Sequence, residues 1–373
     1  MRITAAVMER ADGKLTRRKI ALEEVELEEP RDDEVLIKVT SCGVCGTDRG
    51  CLHGLEPYPT PGVLGHEGAG IVEQVGRAVK RFKPGDRVML GFPYCGECRS
   101  CLRGDQRYCE RGQALVFSGY RLDGSGGMRR VGGEKLAARF FQQSSWATHT
   151  LATERQLAKV PDGLDLDLTG PYGCSISTGA GTILNELRPA PGSSIAVFGA
   201  GNVGLAAVMA ARLTGATTII AVDKVPERLA LARELGATHS LEHGAETVAQ
   251  LKELTEDKLD FSIEATNGSN LAAEAVSALG TRGTCALVGG AKMTELVKVS
   301  HPDTLLRGKR IIGVMGGGGQ TPQFLESLME LQRQGRFPLE KLVKFYDFAE
   351  INRAIDDSDA GLTVKPILRM PAA

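Results

Sequence analysis

Almost no net charge, no apolar run of membrane-spanning length, no low-complexity tract and no internal repeat are found in this 373-residue sequence. With 45 Lys and Arg against 46 Asp and Glu the formal charge is −1, and no basic run stands out. Nucleic acid and anionic membranes are therefore not expected partners. The roughly 18 consecutive apolar residues that a membrane helix needs are missing. At the N-terminus Met1-Arg2-Ile3-Thr4-Ala5-Ala6-Val7-Met8 runs into Glu9 and Arg10 before a signal-like core can form. A soluble, cytoplasmic protein is expected. Its nine cysteines are an odd number, which in such a chain favours reduced thiols over a disulfide framework.

The length suggests two domains at ~100–200 residues each. Residues 1 to about 172 read as β-rich. Glu34-Val35-Leu36-Ile37-Lys38-Val39 is a candidate strand, and the turn Lys83-Pro84-Gly85-Asp86 precedes another at Arg87-Val88-Met89-Leu90. The Gly- and Arg-rich stretch 118–133 reads as a surface loop. From about 175 strands and helices alternate: Ser194–Phe198, a helix from Val203 to Leu213, Thr217–Val222, a helix from Pro226 to Leu235, then strands at 261–263 and 284–288. That rhythm implies a parallel, doubly wound sheet. The last ~55 residues predict a helix from Pro322 to Gln334, a strand, a helix and a final strand near Thr363–Leu368.

Cys95, Cys98, Cys101 and Cys109 follow the spacing C-x2-C-x2-C-x7-C, which suits one tetrahedral zinc with no open position and hence a structural role. Cys45, His66 and Cys174, with Glu67 beside His66, form a second constellation. Two thiolates and an imidazole bind zinc and leave a fourth position for water or an alcohol, whose pKa the metal lowers. Cys42, Cys51 and Cys285 fall outside both sets. Gly199-Ala200-Gly201-Asn202-Val203-Gly204 follows a strand and opens a helix, and Asp223 ends the next strand 19 residues after Gly204. In that context the glycines let a pyrophosphate sit on the helix N-terminus, and Asp223 favours NAD over NADP by accepting from the ribose hydroxyls. Lys224 and Arg228 are close enough in sequence to reach a phosphate.

In the order Gly65-His66-Glu67-x-x-Gly70-x5-Gly76, four-cysteine lobe, glycine fingerprint, the chain resembles the medium-chain, zinc-dependent alcohol dehydrogenases from Ala6 to nearly its C-terminus. Within that family residues 47–51, 140–148 and 173–181 are similar to aryl-alcohol (benzyl alcohol) and geraniol dehydrogenases. The resemblance implies a GroES-like catalytic domain over 1–175 that includes the structural zinc lobe, a Rossmann NAD-binding domain over 176–318, and a return to the catalytic domain over 319–373. It also implies NAD and two zinc ions per subunit. Cys45, His66 and Cys174 would hold the catalytic zinc, with Thr47 taking the alcohol proton. Asp48 would orient His66, Glu67 would lie behind the metal, and Lys365 would meet the pyrophosphate. Val288, Val314 and Met315 are assigned to the cofactor. Thr47, Phe140, Phe141, Val314 and Met315 are assigned to the substrate pocket, with Trp146 in the same segment.

Two positions depart from the family pattern: Gly46 stands where a basic residue often does, and Gly50 where many relatives carry a relay histidine. His53 is a candidate substitute for that relay, against a reading as a surface histidine. The expected reaction is oxidation of a primary aryl or allylic alcohol to its aldehyde. The alternatives are a formaldehyde–glutathione adduct or a polyol as substrate, a non-catalytic zinc protein that binds nucleic acid through the four-cysteine lobe, or a structural protein that binds cofactor without turnover. A homodimer through the edge of the nucleotide domain, near residues 284–314, is expected, with a tetramer as alternative.

Overall fold

The computed structural model describes residues 1–9, 20–266, 268–290, 294–319 and 322–371. The chain separates into two compact units: Met1–Cys174 with Gln320–Gly335 and Leu339–Ala373, and Ser175–Gly319 with Arg336–Pro338. All nine cysteines are free of disulfides. Among the described residues no helix is long and apolar enough to cross a membrane.

The first unit is organised around the strand Glu34–Gly43. Val35, Ile37 and Val39 are at most 2% exposed, and Leu36 on the other face is 6% exposed. Apolar residues on both faces mark a strand covered on both sides. It pairs antiparallel with Gly68–Val75, with His149–Thr153 and with the C-terminal strand Lys365–Arg369. The register sets Cys42 opposite Gly68, so Cys45 and His66 leave the sheet at the same end. The returning C-terminal strand brings Pro366 within hydrogen-bond reach of Val44 and seats Lys365 beside both.

A five-stranded sheet completes this unit. Its strand Met128–Arg130 lies within the stretch read from sequence as a loop. That strand is short, and the alternation of buried Met128 with charged neighbours is too brief to register as a period. Arg130 pairs with Glu134 four residues on and with Glu23 across the sheet; only Glu23, 107 residues away, lies outside any local window.

The second unit is a six-stranded, all-parallel sheet with strand order His239–Glu242, Thr218–Asp223, Ser194–Phe198, Phe261–Glu264, Thr284–Leu287, Arg310–Gly313. This is the doubly wound order whose ligand crevice falls where the winding reverses, at the carboxyl end of Ser194–Phe198. The helix after it spans Asn202–Thr214, and the next runs Pro226–Leu235 and ends at Gly236.

Glu34 carries the largest buried charge network of the first unit. Its carboxylate accepts from Arg121 at 2.7 and 2.9 Å and from Arg139 at 3.0 Å, with all three side chains under 10% exposed. Burial pushes the Glu34 pKa up, but the Arg121 and Arg139 guanidiniums outweigh it and hold the carboxyl below its ordinary value. A depressed folded pKa stabilises above the unfolded pKa and loses that effect as pH falls toward the folded value. Glu34→Gln should therefore lower stability in urea by about 3–5 kcal/mol at neutral pH, because it leaves Arg139 buried and unpaired. That deficit should shrink as pH drops below 4.5, the carboxyl's ordinary value.

Candidate active site

Cys45 stands just before the short helix Gly46–Leu52, with extended backbone angles. Its N–H donates to Asp48 Oδ2 at 2.9 Å. The other carboxylate oxygen, Oδ1, accepts from the Gly65 N–H at 3.1 Å and lies 2.9 Å from His66 Nδ1. Asp48 is fully buried, so one carboxylate fixes the backbone on both sides of the cluster and the orientation of the imidazole. Gln143 adds a second hold, donating to the His66 carbonyl at 3.0 Å and accepting from the Gly68 N–H at 3.3 Å.

With Nδ1 engaged, His66 Nε2 is buried and makes no hydrogen bond. The potential ligand atoms of Cys45, His66 and Cys174 lie within 4.8 Å of one another, and the two sulfurs are 4.0 Å apart. Two ligands ~2.3 Å from a tetrahedral ion stand about 3.8 Å apart, so donor type and spacing both fit zinc. The electrostatics point the same way. Its hydrogen bond with Cys45, together with burial, pushes the Cys174 thiol far up, while that hydrogen bond draws Cys45 well down. The two thiols are thus pushed in opposite directions. Burial opposes the charged form of His66, yet Asp48 and the Cys45 thiolate outweigh it and raise its pKa to about 10. A dication replaces both protons and resolves the conflict.

Behind the cluster Glu67 and Lys365 form an ion pair, Nζ to Oε2 2.5 Å, with both side chains fully buried. Lys365 also donates to the Val44 carbonyl at 3.2 Å. The expectation that Lys365 meets a pyrophosphate is corrected here. Its ammonium is directed into the first unit by the neighbouring strand end and is spent on Glu67. Phe140 and Phe141 also depart from expectation. They are 0% and 3% exposed and pack on His66, Phe141 stacked at 4.2 Å and Phe140 edge-on at 5.3 Å. They pack behind the ligand as interior, not as an open wall, and Trp146 is likewise fully buried. Thr47, half-buried, follows Cys45 in the first turn of its helix. His53 is bound to Asp359 at 2.9 Å and is 38% exposed, which fits the surface reading over the relay.

In the four-cysteine lobe the Sγ atoms of Cys95 and Cys101 are 3.9 Å apart and those of Cys98 and Cys109 4.0 Å. Backbone N–H groups of Cys98, Cys95 and Glu110 donate to Cys95, Cys109 and Cys98 respectively. All four cysteines form one metal-competent group. Sequence reading passed over one residue inside this lobe. Arg107 is 9% exposed, and its guanidinium lies 3.7 Å over the Phe92 ring. Its signal in the sequence was only its place between two ligand cysteines.

In the second unit Gly199 has φ +97°, and a Cβ on Gly204 would sit 1.7 Å from the Gly199 carbonyl oxygen. Only glycine permits this close turn into the helix. Asp223 accepts from the Ala200 N–H at 2.6 Å and the Val225 N–H at 2.9 Å, which holds its carboxylate at the turn. Gly201, Asn202, Val203 and Arg228 are half-buried and Lys224 exposed. Val288 is half-buried, Val314 buried and Met315 47% exposed.

Residues 31–162 match the alcohol dehydrogenase GroES-like domain family and residues 202–331 the zinc-binding dehydrogenase family. The chain is 38% identical to geraniol dehydrogenase of Castellaniella defragrans over 98% of its length and 96% of that protein. The structure of an alcohol dehydrogenase zinc-binding domain protein from Burkholderia ambifaria superposes with a TM-score of 0.96 at 44% identity. Benzyl alcohol dehydrogenase from Acinetobacter calcoaceticus superposes at 0.95 and 40%. Each of these two structures and this chain are covered over their full lengths.

Asp48→Asn removes the charge that orients His66. It should weaken zinc at the Cys45 cluster by about 10–100-fold. Metal analysis against a competing chelator should show the four-cysteine lobe unaffected.

Proposed function

The chain belongs to the medium-chain, zinc-dependent alcohol dehydrogenase family, and on that footing we propose that it oxidises a primary aryl or allylic alcohol to the aldehyde with NAD as hydride acceptor. The observation that carries this reading is the buried Cys45–His66–Cys174 group with its hydrogen-bond-free Nε2. Zinc bound there supplies a Lewis acid that lowers the pKa of an alcohol oxygen. The alcohol's carbon-bound hydrogen leaves as hydride to the nicotinamide, its hydroxyl proton goes to solvent, and aldehyde and NADH result.

The chain's own residues do the rest of the work in this reading. Asp48 keeps Nε2 of His66 directed at the metal. The Thr47 hydroxyl accepts the alcohol proton and hands it on. With Gly46 and Gly50 bringing no side chain to that path, the proton exits through water. Glu67, neutralised by Lys365, adds no net charge behind the metal. The glycine turn and the N-terminus of helix Asn202–Thr214 suit a pyrophosphate. The ordered carboxylate of Asp223 suits ribose hydroxyls and repels a 2′-phosphate.

The substrate class draws on the geraniol and benzyl alcohol dehydrogenases among the similar proteins. A homodimer paired along the outer strand Arg310–Gly313 is supported by exposed Leu296, Leu305, Leu306 and Ile311 near that edge.

NADH formation with benzyl, cinnamyl, geranyl, ethyl and polyol alcohols tests the reaction. Turnover should be confined to the aryl and allylic members and abolished by zinc chelation. Activity only with ethanol, a polyol or formaldehyde plus glutathione would remove the substrate assignment. Asp223→Ser should raise the NADP-to-NAD ratio of kcat/KM by at least about tenfold; an unchanged ratio would count against the role given to that carboxylate.

A further inference from the structure

Three consecutive glycines, Gly316, Gly317 and Gly318, are buried and take φ of +58°, +75° and +78°. Such a turn has little rigidity of its own, because without a Cβ many other conformations are open to each residue. It follows the outermost parallel strand Arg310–Gly313 and the pair Val314 and Met315. What holds the turn must come from another part of the chain.

The helix Ser175–Gly181 and its continuation, a π-helical turn over Thr182–Leu187, supply that hold. All of these residues belong to the second unit. A Cβ on Gly317 would lie 2.3 Å from the Ser177 carbonyl oxygen, and one on Gly181 2.3 Å from the Gly317 carbonyl oxygen. Backbone thus meets backbone along the face that Ser177, Gly181 and Asn185 share at intervals of four residues. Asn185 completes the contact: its Nδ2 donates to the Gly317 carbonyl at 3.1 Å and to the Gly319 carbonyl at 3.2 Å. The Asn185 backbone is anchored in turn, since Arg188 Nε donates to its carbonyl at 2.6 Å. One side-chain amide therefore ties Gly317 to Gly319. π-Helical turns of this kind recur at functional sites.

The place of this turn in the sheet gives it a consequence. With this strand order a dinucleotide lies across the carboxyl ends of the strands, one mononucleotide on each half of the sheet. Asp223, at the end of Thr218–Asp223, belongs to the half assigned to the adenosine ribose. Arg310–Gly313 closes the opposite half, so Val314, Met315 and the glycine turn lie on the nicotinamide side. We propose that Asn185 is a positioning residue for the nicotinamide. By fixing the carbonyls of Gly317 and Gly319 it keeps segment 314–319 in the shape against which the ring docks. This rests on the NAD reading above. A segment ordered in advance loses less conformational freedom when the ring binds, and the affinity gained is specific to that end of the cofactor.

The test compares NADH with ADP-ribose, which lacks only the nicotinamide ring, by calorimetric titration into the zinc-loaded enzyme. Asn185→Ala should weaken NADH by about tenfold and leave ADP-ribose within about twofold. Asn185→Asp keeps the size but has no N–H to give, and should lose at least as much. Equal weakening of the two ligands, or weakening of neither, overturns the proposal, because general damage to the sheet does not single out the nicotinamide end. Wild-type binding of NADH no tighter than that of ADP-ribose overturns it as well. Binding of neither ligand by wild type removes the NAD reading and this proposal with it. Selective loss of NADH affinity in Asn185→Ala, with no alcohol oxidised by wild type, upholds the positioning role and removes the alcohol-oxidation reading. Should the variants fail to fold, hydrogen exchange on wild type decides. Amides of 314–319 should gain protection with NADH and not with ADP-ribose, and equal protection by both overturns the proposal.

Discussion

A single buried carboxylate organises the metal cluster. Asp48 binds the backbone N–H of Cys45, the backbone N–H of Gly65 and the ring of His66 at once. Two ligands from different strand ends are thereby held to a common point. The third ligand, Cys174, is 129 residues from Cys45 in sequence. Pre-ordering two of three donors removes much of the entropy that a loose site would lose on binding. The antiparallel register of Glu34–Gly43 with Gly68–Val75 makes this possible, since it brings Gly43 and Glu67 into backbone hydrogen bonding at 3.0 Å.

Around that point the interior carries an unusual amount of charge, and most of it is matched. Glu34 joins two arginines; Glu67 joins Lys365 within 2.5 Å. Pairs of this kind add little net stability over apolar packing, but removing one partner is costly. They act chiefly as constraints on which strand ends can meet. Lys365 is instructive: its pairing with Glu67 spans 298 residues and ties the last strand of the chain to the cluster. Against this pattern the unmatched Nη groups of Arg107 stand apart.

Local patterns in the sequence were enough to single out the cysteines and histidine that the fold brings together and the tight glycine turn. The four-cysteine spacing, Gly65-His66-Glu67 and the Gly199–Gly204 fingerprint each specify chemistry by residue type at fixed intervals, and the helix Pro226–Leu235 carries its own proline start and glycine stop. Partners distant in sequence were not legible. Lys365 read as a phosphate ligand because nothing near it in the chain reveals Glu67. Phe140 and Phe141 read as a pocket wall because an aromatic pair looks the same whether it faces a cleft or packs on an imidazole. The strand Met128–Arg130 was hidden because three residues hold too little of a period-2 pattern.

With zinc bound, the two donor groups would differ in charge, which fits the division of labour proposed for them. A zinc dication with four thiolates carries a net charge of −2. In the lobe that excess is spread onto backbone N–H groups, with Cys98, Cys95 and Glu110 donating to sulfur. Such a site has neither an open position nor any electron demand. With two thiolates and a neutral imidazole the net charge is zero, and Glu67 behind the cluster is cancelled by Lys365. A neutral site with a free coordination position remains electrophilic toward an alcohol oxygen. An unpaired carboxyl buried this deeply would take up a proton, since burial pushes the Glu67 pKa up and Lys365 opposes that. The buried ion pair therefore joins the last strand to the cluster without adding net charge beside the three donors.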